Sequence, residues 1–321
     1  MTTINRRSFI KASTAAAVAL ASGAAAALAA DAPARKYKFT MCLQPGVIGV
    51  PSDASRIIGW AVEYGFDAIE PQTGFLQKAS DAELADYLGQ MKQHGLSWGG
   101  AGLPVDFKGA DTGFEGSMRT LPAYCKSLQR AGVTRVVTWL TPSHRTLTYI
   151  ANFRLHARRL REVAGVLGDH GIRLGLEYVG PKTSRVNARY EFIHTMAEMK
   201  DLIAEIGRDN VGFLLDSWHW YTAQETEADL LSLKGSDVVM CHLNDAPLDV
   251  PVDQQRDGRR MLPCTTGVID MKAFMNAMVK IGFDGPMVAE PLGAEELRGR
   301  SAAENLAAVS AAMKRAFALI E

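Results

Sequence analysis

The 321-residue chain carries 35 basic and 35 acidic side chains, a balance that gives no sign of nucleic-acid affinity. Its 47% hydrophobic and 22% charged residues are ordinary for a soluble globular protein. The length suits one barrel-sized domain of about 250 residues with loops and a leader.

The leader comes first. Asn5-Arg6-Arg7-Ser8-Phe9-Ile10-Lys11 is a twin-arginine export signature, followed by an Ala-rich run from Thr14 and the small residues Ala27-Leu28-Ala29 of a cleavage site. Residues 1–30 therefore read as a cleavable twin-arginine signal peptide. Alanine is too weakly apolar for a stable membrane anchor. The expectation is a periplasmic or secreted protein delivered by the twin-arginine export machinery, which carries folded and often metal-loaded proteins. Cleavage removes Arg6, Arg7 and Lys11 and no acidic residue, leaving a slightly acidic chain. Cys42, Cys125, Cys241 and Cys264 have no spacing that suggests a disulfide framework or a zinc motif, and Cys42 and Cys241 fall in strand-like runs as small core residues.

Strand and helix signals then alternate eight times. Residues 37–43 read as a strand and a helix capped by Ser52 or Asp53 runs to Tyr64, stopped by Gly65. Strand 66–70, helix 81–94, a Gly-rich strand 96–102, helix 114–130 and strand 135–139 follow. The second half has helix 147–170, strand 172–177, helix 190–206, strand 211–216, helix 226–233 and strand 238–242. A polar loop over 244–266, helix 270–281, strand 286–290 and an amphipathic helix 302–320 complete the chain. Strands alternating with helices imply a parallel sheet, and eight such units imply a single-domain (β/α)8 TIM barrel over residues 37–320. No glycine-rich phosphate fingerprint follows the first strand, which counts against a dinucleotide-binding fold.

Four late strands are apolar until they stop on Glu177, Asp216, His242 and Glu290. Parallel barrel strands all point one way, so these side chains are expected to converge at one rim. Three carboxylates and an imidazole form an oxygen-rich set that favours Mn²⁺ or Mg²⁺, tolerates Co²⁺ or Zn²⁺, and differs from the Cys-rich sets of structural zinc. Each taken singly reads as a structural polar residue; four at equivalent strand ends point to one shared divalent ion. Glu70 closes the second strand and reads by position as a substrate-contact candidate or equally as a buried carboxylate bonded to backbone; Trp139 and His144 are pocket-wall candidates at the fourth.

The motifs Gly175-Leu176-Glu177, Leu215-Asp216-Ser217-Trp218-His219, His242-Leu243-Asn244-Asp245 and Ala289-Glu290-Pro291 resemble those of the xylose isomerase-like barrels, the sugar phosphate isomerases and epimerases. The likeness covers about residues 37–320. It implies a divalent metal on Glu177, Asp216, His242 and Glu290, and proton transfer by Glu177 and Glu290 from opposite faces of a sugar through an enediolate. It also implies that His219 touches substrate; a packed histidine, or one that orients Asp216 from behind, is the other reading. Trp218 could stack on a sugar ring or pack in the core. Relatives place an arginine after the metal histidine. The resemblance does not choose among Arg256, Arg259 and Arg260, and Arg256 stands as the candidate. Where relatives carry a Pro-Gly-x-Gly turn, this chain has Pro263-Cys264-Thr265-Thr266-Gly267.

The function expected is an exported, metal-dependent sugar or keto-sugar isomerase or epimerase. A lyase or dehydratase eliminating a group beta to the carbonyl is the alternative, and a non-catalytic sugar-binding protein the third reading. A carbohydrate is the expected partner, with no nucleic acid, and homo-oligomerisation is left open.

Overall fold

A computed structural model of the protein describes residues 36–321; the expected export signal at residues 1–30 lies outside them. The strands are β1 (Thr40–Leu43), β2 (Ala68–Ile69), β3 (Ser97–Trp98), β4 (Ala101–Gly102), β5 (Arg135–Trp139), β6 (Ser143–His144), β7 (Arg173–Glu177), β8 (Tyr190–Glu191), β9 (Val211–Asp216), β10 (Val238–Leu243) and β11 (Pro286–Ala289). Nine of them form one sheet in the order β3-β2-β1-β11-β10-β9-β7-β5-β4, parallel at every junction. Its two edges, β3 and β4, are halves of one stretch parted only by Gly99 and Gly100. The sheet thus returns to its start after eight strand positions. Tyr37–Glu321 forms one unit.

The expected third strand is broken because its interior side is already filled. A Cβ on Gly99 would sit 2.5 Å from Cys42 Sγ, and one on Gly100 2.7 Å from Met240 Sδ. Only glycine lets the backbone cross here. The inner layer of the barrel is Cys42, Ala68, Leu214, Met240 and Val288, with Val137 against them. Outside the sheet, a much larger apolar cluster fills the space beneath the helices.

Side chains along a strand repeat with period two. Two residues beyond Cys42, Ala68, Val137, Gly175, Leu214, Met240 and Val288 stand Gln44, Glu70, Trp139, Glu177, Asp216, His242 and Glu290. Immediately above the apolar plug, the barrel therefore carries a ring of polar and aromatic residues at the C-terminal ends of its strands. That is the face where such barrels do chemistry.

Several elements depart from the sequence expectation: the helix expected to be capped by Ser52 or Asp53 begins only at Ile57, with Arg56 at its N-cap and no side-chain cap, and two other departures shape the site. The helix expected from Tyr190 begins only at Met196, because Tyr190–Glu191 pairs antiparallel with Ser143–His144 and Thr195 then caps the helix reciprocally with Glu198. A short helix, Ser217–Thr222, follows β9 directly. Asp216 starts it by accepting from Trp218 N at 2.8 Å, and that turn carries His219 back over the barrel mouth.

Candidate metal centre

Glu177 closes β7, Asp216 closes β9, His242 is the last residue but one of β10, and Glu290 follows β11. One donor atom from each lies within 4.8 Å of the others. Asp216 and His242 are register partners across β9 and β10. β7 and β11 are the outer members of the run β7-β9-β10-β11, so the two glutamates flank the aspartate and the imidazole.

Burial sets the electrostatics. It pushes Glu177 up to about 8, with His242 working against the shift and Glu290 reinforcing it. Burial opposes charge on His242 too, but the carboxylates of Glu290 and Glu177 outweigh it and raise its pKa well above the ordinary histidine range. Glu290 feels the same burial, yet His242 and the guanidinium of Arg260 hold it down at about 2.

The residues fit a divalent cation. His242 Nδ1 lies 3.2 Å from Glu177 Oε1 and 3.2 Å from Glu290 Oε2. Neither His242 Nδ1 nor Glu177 Oε1, both buried, completes a hydrogen bond. Orphaned buried donor atoms are costly unless something else satisfies them. A hard cation would do so, and three carboxylates with one imidazole suit it. Metal entry must expel the protons favoured on His242 and Glu177. Affinity should accordingly rise about tenfold per pH unit for each proton released, with the Glu177 share levelling off above about pH 8. Competition against a chelating dye between about pH 6 and pH 8 would measure the slope, and a flat response would contradict the ligand assignment.

Residues 58–315 match the family described as xylose isomerase-like TIM barrel. The chain belongs to this family. It is 31% identical to a xylose isomerase domain protein from Alicyclobacillus acidocaldarius, with a TM-score of 0.76 over 88% of this chain and 99% of that one. It is 26% identical to the inosose isomerase of Bacillus velezensis over 71% of this chain and 79% of the relative. The IOLI protein with a binding zinc atom shares the fold at 20% identity, with a TM-score of 0.72 over 87% of this chain and 98% of that one.

In this xylose isomerase-like barrel the arginine at the metal cluster is Arg260. Arg256 and Arg259 are exposed, whereas Arg260 is 2% exposed. Its Nη1 donates at 2.7 Å to both Asp216 Oδ2 and Glu290 Oε2, and its Nη2 donates at 2.6 Å to Asp257 Oδ1. The path of the loop explains the choice. Asp245 and Met261 exchange backbone hydrogen bonds at 2.9 and 2.8 Å. The Asp245 carboxylate also accepts from the backbone N–H groups of Ala246, Thr266, Gly267 and Ile269. The loop is thereby folded back on the end of β10 and delivers residue 260 inward. Arg256 instead faces the groove lined by Thr183, Gln254 and Gln255.

Trp218 is fully buried, and Arg260 lies over its ring at 5.5 Å. The indole face that a sugar would need is covered by the guanidinium, so this ring packs rather than stacks on a ligand. His219 is in the site. Its Nδ1 lies 3.2 Å from Gly180 N and its Nε2 3.3 Å from Arg260 Nη2; both neighbours are donors, and a neutral ring accepts from only one of them. Burial lowers its pKa and favours that neutral form. Nε2 stands 3.8 Å from Asp216 Oδ2, too far for a direct hydrogen bond. The ring thus stands against Arg260 beside the cluster. Glu70 lies outside the four-residue cluster. It accepts from Gln44 Nε2 at 3.1 Å, and burial pushes it up to about 7.

The loop that departs from the relatives' turn keeps a glycine-like backbone. Cys264, where the pattern has glycine, adopts φ +58°. A side chain is strained in that region. Cys264→Gly should raise stability by about 1 kcal/mol, read as a higher denaturant midpoint at unchanged slope. An unchanged or lower midpoint would mean that packing of the thiol outweighs the backbone strain.

Proposed function

We propose that this chain is an exported, divalent-metal-dependent isomerase or epimerase of a sugar or keto-sugar that shuttles a proton through an enediolate. The observation that carries the reading is the convergence of Glu177, Asp216, His242 and Glu290 in one layer above the barrel plug, with a glutamate at each flank. The inosose isomerase that the chain resembles over most of its length is a relative whose name agrees with it.

Glu177, Asp216, His242 and Glu290 would hold a divalent ion, which would supply Lewis acidity to the substrate carbonyl. The protein's part is positioning and proton transfer. One glutamate takes the proton beside the carbonyl and the other returns one on the opposite face, as inversion requires. His219, set against Arg260 beside the cluster, would contact a substrate oxygen. Arg260 holds Glu290 ionised and fixes its carboxylate toward Asp216. Transport through the twin-arginine pathway, on the strength of Arg6-Arg7 and the Ala-rich run, belongs to the same proposal; Arg6→Lys with Arg7→Lys should retain the protein in the cytoplasm.

The test is incubation of metal-loaded protein with keto-sugars and inososes in deuterated water. Deuterium at the carbon beside the carbonyl, with epimer or isomer formed and nothing eliminated, is the expected result. Release of water or an aglycone would assign the chain to the lyases instead. Binding without any exchange would reduce it to a sugar-binding protein.

A further inference from the structure

We propose that Lys108, laid across the indole of Trp139, is the cation that recognises the end of the substrate remote from the reacting carbon, and that it selects sugars bearing a carboxylate there. This rests on the isomerase or epimerase reading and adds a substrate class to it.

Trp139 belongs to the ring of residues above the barrel plug and is the register partner of Glu177 across β5 and β7. It is a large apolar side chain left 50% exposed beside a buried metal ligand. The register partner of Val137 on the third strand is Gly102, on the side of β5 away from Glu177, where an added Cβ would meet nothing within 4 Å. The half-exposed indole therefore stands between Glu177 on one side and the edge of the third strand on the other.

Lys108 comes from the loop after β4. Its Nζ lies 3.3 Å from the centroid of the Trp139 ring and donates at 2.9 Å to Trp139 O. The reason is structural. The ladder between the third strand and β5 ends with Leu103 N donating to Val137 O, so the next carbonyl on that side, Trp139 O, has no strand donor. Lys108 supplies one, and the fold thereby fixes a cation at the rim. An ammonium has three N–H groups, and one meets this carbonyl.

The charges acting on Lys108 are those of Asp106 and Glu177. Asp106 accepts from Gly109 N at 3.0 Å, and neither carboxylate forms an ion pair with Lys108. Burial pulls the Lys108 pKa down to about 8, which reflects lost hydration that an arriving anion would replace. Arg260 cannot serve the same purpose, because Asp216, Glu290 and Asp257 already take up its charge. A sugar whose carbonyl end meets Glu177 and Glu290 would present its other end to the Lys108–Trp139 ledge.

D-gluconate and D-glucitol share a carbon chain, differ by the carboxylate and offer no ketone to react. Titrated calorimetrically into the metal-loaded protein, gluconate should bind at least about tenfold more tightly than glucitol. Lys108→Met should erase the preference, and Lys108→Arg should keep most of it, at equal metal content. Equal binding of the two probes by the unaltered protein would overturn the proposal. So would a preference that survives Lys108→Met, since the carboxylate would then be bound by the metal. Failure of the isomerase or epimerase reading looks different: no keto-sugar exchanges deuterium, while the Lys108-dependent preference persists.

Discussion

Glu290→Gln is expected to leave the barrel folded and to lower solvent-proton exchange at the substrate carbon by about 10²- to 10⁴-fold. The amide keeps a carbonyl oxygen where Glu290 Oε2 now accepts from Arg260 Nη1 at 2.7 Å, so the link from the loop to the strand end survives. It has no carboxylate to receive a proton, so one of the two flanking acid–base groups is lost. Glu177→Gln should act alike from the other face. Deuterium incorporation measured at saturating substrate, with metal content determined on the same sample, separates the chemical effect from ion loss. Undiminished exchange in Glu290→Gln at full metal content would remove Glu290 from the proton path.

The four cluster residues could be read from the chain because of how a barrel strand is buried. Val211 to Leu215 and Val238 to Cys241 are buried on both sides of the sheet, so the first ionisable residue of each run stands out against apolar neighbours. The period of two adds that Leu214, Met240 and Val288 plug the interior and that Asp216, His242 and Glu290 stand on the same side above them. Arg260 was not legible in this way. It is one of three arginines in a polar loop, and what turns it inward is the set of backbone contacts of Asp245, spread over residues 246 to 269. Trp218 misleads for a related reason, since an aromatic beside a metal ligand looks like a sugar platform until the guanidinium above it is seen. The Ser217–Thr222 helix is one and a half turns long, too short for a periodic pattern, and only the Asp216 cap could have marked its start. Lys108 is set in place by a carbonyl that lacks a ladder partner, a feature with no trace in residue identity.

Arg260→Met should destabilise the metal-free protein by about 3–5 kcal/mol, and metal should restore more stability to the variant than it adds to the unaltered protein. The guanidinium is buried among Asp216, Glu290 and Asp257, and these carboxylates raise its pKa further despite the burial that opposes it. Methionine fills similar volume but leaves the largely dry Asp216 and Glu290, and the part-exposed Asp257, without their nearest positive charge. A divalent ion on Glu177, Asp216, His242 and Glu290 offsets the same repulsion, so ion and guanidinium partly substitute for each other as counter-charge. The sign distinguishes this from a packing defect, which would lower stability equally with and without metal. Denaturant unfolding with a chelator and with saturating Mn²⁺, for both proteins, gives the four free energies of the cycle. Equal metal-induced stabilisation in both would mean that Arg260 shapes the loop without balancing charge at the cluster. Exchange activity should also fall in the variant, because Glu290 would lose the contact that orients it and one of the charges that hold it ionised.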